Sequence, residues 1–178
     1  MESKIIYKNN TCELTEDFID VGYMAENIEV DTFDKNIKEL KRSHSDGAMT
    51  LFVSFPNIEE FHIEILKLDQ FMKNIVVPIH CYIIFAKDQE IDKKINEQLE
   101  KFEIVYDTQE EFGSMYGTKI VDGVLKDELT KSLFLISKDG AIFFLDIPDD
   151  LEKEFDLQRV QVELNKAYVT YTGVGCHG

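Results

Sequence analysis

Apolar residues in the middle of the chain form a short continuous run that is followed by a segment with helical spacing. The run covers residues 51–55 and ends at Pro56. Because proline has no N–H to give to a sheet, the strand must end there. Beyond it, apolar residues recur at intervals of three and four, which is typical of a helix packed on a sheet: Ile58, Phe61, Ile65, Leu68 and Met72.

The alternation of strand and helix recurs along the rest of the chain, so the pattern predicts a mixed α/β fold. Two of the predicted elements depend on particular residues. Ile37 and Leu40 have the spacing of a helix, and the pair Asn9 and Asn10 suits the turn of an N-terminal hairpin. The predicted elements are a hairpin at 4–21, a strand at 28–30, a helix at 34–42, a strand at 51–55, a helix at 58–72, a strand at 81–85, a helix at 91–101, a strand at 102–107, a helix at 109–116, a hairpin at 132–147 turning at 138–140, and a helix at 151–167.

The composition is that of one globular domain with a strong excess of acidic residues. Asp and Glu number 35 against 19 Lys and Arg, a formal charge of −16. Such a charge repels nucleic acid phosphates and anionic lipid, although it leaves a basic protein surface open as a partner. The chain shows neither an apolar run long enough for a membrane span nor a signal-peptide start. We therefore expect a cytoplasmic protein that binds no nucleic acid and no membrane.

The order of these landmarks resembles the thiol peroxidase branch of the peroxiredoxins, which reduce hydroperoxides with an atypical pair of cysteines. The resemblance covers most of the chain. It is most specific in the segment EEFGSMYGTKIVDGVLKDELTKSLFLISKDGAIFF, where the chain keeps seven positions in step with the family: Phe112, Tyr116, Gly117, Asp122, Gly123, Leu125 and Gly140.

The resemblance implies a thioredoxin-like α/β fold of the peroxiredoxin type, with a central sheet flanked by helices and an N-terminal β-hairpin. It further implies a homodimer and no bound cofactor. The corresponding division of the chain is a hairpin extension at 1–22, a thioredoxin-like domain at 23–168 and a flexible glycine-rich tail at 169–178.

The positions that carry the family's chemistry have changed. Aligned from Pro56, Glu60 replaces the threonine that orients the peroxide, and Ile63 replaces the peroxidatic cysteine. Lys131 replaces the family's arginine, so the charge is kept but the planar guanidinium is lost. The resolving cysteine is missing near residues 96–97. We expect a degenerate site at these positions.

Two structural expectations follow from this alignment. First, we expect Ile63 to be packed in the core, so that the former pocket is closed. Second, Glu60 and Lys131 face each other if the scaffold is preserved. In that case, the two side chains either form an ion pair that closes the pocket or each extend separately into solvent.

Three cysteines remain as redox candidates: Cys12, Cys81 and Cys176. Their odd number and the lack of a CxxC pair indicate neither a disulfide framework nor a zinc site. We expect Cys81 to be an inert core residue because it lies in an apolar run. Cys176 lies beside His177 in a glycine-rich end, where we expect the most reactive thiol.

A metal site is only weakly indicated. Glu59 and His62 are three residues apart and would share one helical face, close to Glu60 and Glu64. A charged first helical turn is common without any metal, and His44 and His80 have no identifiable partners. We therefore predict no metal.

Three hypotheses about function follow. The favoured one is a catalytically degenerate thiol-peroxidase-like protein that is not an enzyme and acts as a binding or regulatory module for an unknown protein partner. The second is a residual thiol oxidoreductase, linked to thioredoxin, for peroxide reduction or redox sensing through Cys12, Cys81 or Cys176. The third is a protein that binds a metal or small ligand at the acidic cluster.

Overall fold

The computed structural model describes residues 4–15 and 19–170 and shows a mixed α/β architecture. A seven-stranded sheet is flanked by helices, and a two-stranded sheet lies apart from it. The small sheet is the hairpin β1 (Lys4–Tyr7) and β2 (Asn10–Glu13). The strands of the large sheet are β3 (Ile28–Thr32), β4 (Ile37–Leu40), β5 (Met49–Ser54), β6 (Ile79–Phe85), β7 (Phe102–Tyr106), β8 (Ser132–Ile136) and β9 (Ile142–Asp146). The helices are α1 (Ile58–Lys73), α2 (Asp92–Asn96), α3 (Glu111–Met115) and α4 (Leu157–Thr170).

Strand β5 lies inside the large sheet, whose order is β4-β3-β7-β6-β5-β8-β9. It runs parallel to β6 and antiparallel to β8, and all six of its residues are buried. Side chains such as Leu51 and Val53 pack on one face with α1 and α4, whereas Phe52 packs on the other with Phe112 and Tyr116 of the α3 region. The continuous apolar run of the sequence is therefore explained by cover on both faces of the sheet.

Helix α1 begins directly after β5 because the sequence supplies both a stop and a cap. Pro56 is buried at the end of the strand, and Asn57 follows in an extended conformation. The Asn57 side chain accepts a hydrogen bond from the backbone N–H of Glu60 at 2.8 Å, which satisfies one free donor of the first turn. The predicted apolar stripe is confirmed, since Ile58, Ile65, Leu68 and Met72 are buried and Phe61 packs against the same core.

The helix predicted at residues 34–42 is wrong, because this segment forms β4. The backbone turns at Lys35, which has a positive φ of 66°, and residue 37 onwards pairs antiparallel with β3. Ile37 is 68% exposed and Leu40 is buried, so the two side chains do not share a face. A spacing of three between only two apolar residues does not distinguish a helix from an edge strand.

Other boundaries also differ from the prediction, most clearly in α4, α2 and the N-terminal hairpin. Helix α4 begins at Leu157 instead of residue 151, with the Asp156 carboxylate accepting from the N–H of Arg159 at 3.1 Å. Helix α2 is limited to Asp92–Asn96. The N-terminal hairpin turns at Lys8 and Asn9, which both have positive φ, one residue before the predicted pair. The turn predicted at 138–140 is confirmed, with Gly140 at a φ of 92°.

The N-terminal hairpin is anchored to the segment before α4. Ile6 donates to the carbonyl of Asp149 at 2.8 Å and accepts from the N–H of Leu151 at 2.9 Å. This anchoring brings Tyr7 over α1. The division of the chain into extension, domain and tail stays a prediction, and residues 171–178 of the tail lie outside the described part of the chain. Within the described ranges, no helix has the length and apolar character needed to cross a bilayer.

Candidate functional site

A cleft of about 310 Å³ opens where β5 passes into α1. Its walls come from the hairpin, from α1 and from the segment before α4. The residues that line it are Tyr7, Lys8, Glu60, Phe61, Ile63, Glu64, Lys67, Leu151, Glu152 and Glu154. Four of them, Glu60, Ile63, Glu64 and Lys67, have the spacing i, i+3, i+4 and i+7 and so form a second face of α1, separate from the core stripe.

Ile63 lies in the wall of this cleft, and the expectation that it is packed in the core is wrong. Its side chain is 66% exposed. The physical reason is helical phase, because residue 63 is two positions from both Phe61 and Ile65 and so lies about 200° around the helix from each. The position that the resemblance assigns to the peroxidatic cysteine is thus open.

Glu60 lies beside Ile63 as a well-partnered carboxylate. The Tyr7 hydroxyl donates to it, with oxygen–oxygen distances of 2.8 and 2.7 Å, and the Asn57 amide donates at 3.1 Å. The Lys8 ammonium is 3.7 Å away. Partial burial works to raise the pKa of Glu60, but the hydrogen bonds from Tyr7 and Asn57 and the charge of Lys8 outweigh it, so the pKa lies below its ordinary value. Glu60 is therefore an anion at neutral pH.

Lys131 lies beneath the cleft, and it does not pair with Glu60. It is only 1% exposed, and its ammonium donates to Glu64 at 2.6 Å and to the carbonyl of Lys153 at 2.7 Å. Glu64 itself is 14% exposed, and its other oxygen accepts from the N–H of Phe155 at 3.4 Å. Both predicted alternatives for Lys131, an ion pair with Glu60 and a side chain in solvent, are therefore wrong. Lys131 instead forms a buried ion pair with Glu64.

Three aromatic rings surround the Lys131 ammonium. It lies 5.1 Å from the ring centre of Phe61 and 5.9 Å from those of Phe55 and Phe155. Such rings attract a cation through their quadrupoles and also exclude water. The ammonium is therefore held in place, with Glu64 as its counter-ion.

The predicted metal candidates Glu59 and His62 do not assemble a ligand set. His62 contacts the backbone carbonyl of Glu59 through Nδ1 at 2.9 Å. In the described part of the chain, no three His, Cys, Asp or Glu side chains are grouped for a metal ion. The sequence indicates no partners for His44 and His80, but their rings contact each other with centres 4.1 Å apart and planes tilted by 42°. His44 also contacts Thr50, and His80 contacts Asp46.

The two cysteines in the described ranges do not line the cleft. Cys81 is 5% exposed, which confirms the predicted core role, and burial raises its pKa to about 12. Cys12 is 2% exposed, and burial followed by the charge of Asp122 raises its pKa as well. Both are therefore thiols and not thiolates at neutral pH. Cys176 and His177 lie outside the described residues.

Sequence reasoning named Glu64 but missed its role, and it missed Tyr7 and Lys8 altogether. The i, i+3, i+4, i+7 pattern of Glu60, Ile63, Glu64 and Lys67 was a readable signal for a second functional face of α1. The contribution of the hairpin depends on a contact between distant segments, 53 residues apart for Tyr7 and Glu60, and has no local signal.

Comparison with solved structures identifies the fold. A peroxiredoxin-like protein from Aquifex aeolicus matches with a TM-score of 0.84 at 18% identity, over 94% of this chain and 98% of the other. A thiol peroxidase from Chromobacterium violaceum matches with a TM-score of 0.82 at 14% identity, over 94% and 99%. The chain has the thioredoxin-like fold of the peroxiredoxins. The predicted fold class is confirmed.

Another peroxiredoxin matches the fold with lower structural similarity. The mitochondrial 2-Cys peroxiredoxin from Plasmodium falciparum matches with a TM-score of 0.62 at 16% identity, over 88% of this chain and 99% of the other. No protein-family model and no curated protein sequence matches the chain. At these identities the likeness establishes the fold, whereas the chemistry must be argued from the site.

The two isoleucines of α1 provide a direct test of the open cleft wall. Ile63→Ala should change the free energy of unfolding by less than about 0.5 kcal/mol because the side chain is exposed. The matched substitution Ile65→Ala should cost on the order of 2 to 5 kcal/mol because Ile65 is 1% exposed and packs in the core. Chemical denaturation measures both values, and equal losses would show that Ile63 is buried.

The buried ion pair predicts a strong asymmetry between single and double substitutions. Lys131→Met or Glu64→Leu alone should destabilise by about 3 to 5 kcal/mol, since each leaves an uncompensated buried group. The double variant Lys131→Met with Glu64→Leu should recover much of that loss. Denaturant unfolding of all three variants completes the cycle.

Lys67→Met is the control, because it breaks an ion pair from the same helix whose two side chains are both 56% exposed. Lys67→Met should therefore lower the free energy of unfolding only slightly. A loss for Lys131→Met no larger than that for Lys67→Met would contradict the buried pair.

Proposed function

We propose that this chain is a peroxiredoxin-fold protein that does not reduce peroxides and acts as a binding module through the cleft beside α1. One observation carries the proposal. At the position where the resemblance expects a thiolate, the chain places the exposed hydrocarbon side chain of Ile63, in the wall of an open cleft.

The surrounding groups support this proposal. Peroxide reduction by the family requires a thiolate to attack an O–O bond, and isoleucine has no nucleophilic atom. The neighbouring Glu60 is an anion, which opposes a second negative charge at residue 63. The Lys131 ammonium is already neutralised by Glu64 at 2.6 Å. Neither the nucleophile nor its activating charge is therefore supplied.

The cysteines in the described part of the chain favour a binding role over an oxidoreductase that uses a cysteine elsewhere in the fold. Cys12 and Cys81 are buried, their pKa values are raised, and neither lines the cleft. A residual oxidoreductase would have to use Cys176. That alternative, the homodimer, the unknown protein partner and the cytoplasmic location stay predictions.

The lining of the cleft indicates the class of ligand. Phe61, Ile63 and Leu151 offer apolar surface, whereas Glu60 and Glu152 offer carboxylates. The Lys8 ammonium is a loose partner of Glu60, at 3.7 Å and with its side chain 64% exposed, so an incoming cation can replace it. We propose a ligand with an apolar body and an ammonium or guanidinium group.

The peroxidase half of this proposal predicts no turnover. Stopped-flow measurement of hydrogen peroxide consumption, with thioredoxin as electron donor, should show no rate above that of the assay without the protein. Turnover comparable to an active peroxiredoxin, lost on Cys12→Ser, Cys81→Ser or Cys176→Ser, would establish the thiol oxidoreductase instead.

The binding half is tested with three small probes of similar shape, namely benzylamine, benzyl alcohol and benzoate. Benzylamine should shift the backbone amide resonances of residues around Glu60 and Ile63, and benzoate should not. Ile63→Arg should abolish the shifts by filling the cleft with a like charge. Val76→Arg, a control at a site that is 94% exposed and outside the lining, should leave them unchanged. Equal shifts from benzoate would contradict the proposed ligand class.

A further inference from the structure

A second groove lies on the surface formed by the segment before β3 and the end of α3. Its volume is about 510 Å³, and none of the described residues that line it also lines the cleft beside α1. Its apolar wall is made by Ile19, Tyr23, Met24 and Met115, and two carboxylates, Asp20 and Glu26, belong to its lining.

The apolar side chains of this groove are exposed to an unusual degree. Tyr23 is 68% exposed, Met24 46% and Met115 43%, and the neighbouring Val21 is 51% exposed. Single exposed apolar residues are common on protein surfaces, but a group of large ones rimmed by charge marks an interaction surface. Tyrosine and methionine are also enriched at the centres of protein interfaces.

The backbone beneath these side chains is fixed. Ile142 of β9 donates to the carbonyl of Tyr23 at 2.9 Å and accepts from the N–H of Gly22 at 2.9 Å, and Ala25 donates to Gly140 at 2.8 Å. The Tyr116 hydroxyl donates to the carbonyl of Glu26 at 2.6 Å. A partner therefore meets a preorganised surface, which lowers the entropic cost of binding.

Charge decides which occupant fits. Among the described residues that line the groove, none is basic, and the whole chain carries a formal charge of −16. A second copy of the chain would bring Asp20 and Glu26 towards the same carboxylates, which is unfavourable. A basic segment would neutralise them, and its apolar side chains at helical spacing would fill the space between Tyr23 and Met115.

We propose that this groove binds a basic amphipathic helix of another protein. The two methionines fit this role, because their flexible thioether side chains adapt to different apolar anchors. The proposal does not rest on the cleft beside α1, since the two surfaces have separate linings.

The test uses a dansyl-labelled amphipathic peptide of leucine and lysine, about four helical turns long. Fluorescence titration should give saturable binding. Met115→Ser and Tyr23→Ser should each weaken it at least about tenfold, because they remove central apolar contacts. Asp20→Asn combined with Glu26→Gln should weaken binding and reduce its dependence on salt.

Control variants and a control peptide show whether binding depends on this groove. Val76→Ser and Val124→Ser remove apolar side chains that are 94% and 85% exposed outside both linings, and they should leave the affinity unchanged. A lysine-only peptide of equal length should bind much more weakly than the amphipathic one. Circular dichroism confirms that each variant is folded.

Three results would overturn the proposal. Equal affinity for the lysine-only peptide would reduce the binding to net charge. Full affinity in both Met115→Ser and Tyr23→Ser would place the peptide elsewhere. Analytical ultracentrifugation showing a dimer that Met115→Ser dissociates would establish a second copy of the chain as the occupant.

Discussion

The buried ammonium of Lys131 is the constraint on which the candidate site depends. An unpaired charge at this depth would be very costly, so Glu64 and the carbonyl of Lys153 must stay within hydrogen-bond distance of it. The pair joins the start of β8 to α1 and to the segment before α4. It therefore fixes the position of α1 in the wall of the cleft and, with it, the face that α1 presents to the cleft.

The same interaction supports the proposal that the cleft binds a ligand and does not reduce peroxides. Lys131 keeps a positive charge where the resemblance expects arginine, but Glu64 neutralises that charge. On the other side of Ile63, Glu60 is held as an anion by Tyr7 and Asn57. The cleft thus has space and hydrogen-bonding groups, while the negative charge of Glu60 and the neutralised charge of Lys131 disfavour a thiolate at residue 63. A binding role is consistent with the open cleft and with the electrostatics that disfavour a thiolate.

The sequence predicted those parts of the fold that have a strong local signal. The buried strand β5, the stop at Pro56 and the core stripe of α1 follow from a continuous apolar run, a proline and repeated spacing. Residues 34–42 were predicted wrongly because two apolar residues are too few to define a period. The acidic segment before α4 suited a helix N-terminus, but the helix begins only at Leu157, capped by Asp156.

The candidate site was predictable in position but not in arrangement. Alignment from Pro56 located Glu60 and Ile63, and the later strand motif located Lys131, yet neither alignment gave information on the direction in which each side chain points. The exposure of Ile63 follows from its phase relative to the stripe, which the sequence contains. By contrast, the pairing of Lys131 with Glu64, 67 residues away, depends on how β8 and α1 pack together.

The central claim, that this cleft does not activate a thiol, is tested most directly by the thiol pKa in Ile63→Cys. The pH dependence of iodoacetamide alkylation at residue 63, resolved by mass spectrometry, reports that pKa. We predict a value at or above about 8.5, that of a free cysteine, because Glu60 is negative and Lys131 is neutralised. Residue 63 is also beyond the first turn of α1, where the influence of a helix N-terminus fades. A pKa below about 7, accompanied by peroxide turnover in this single variant, would contradict the account.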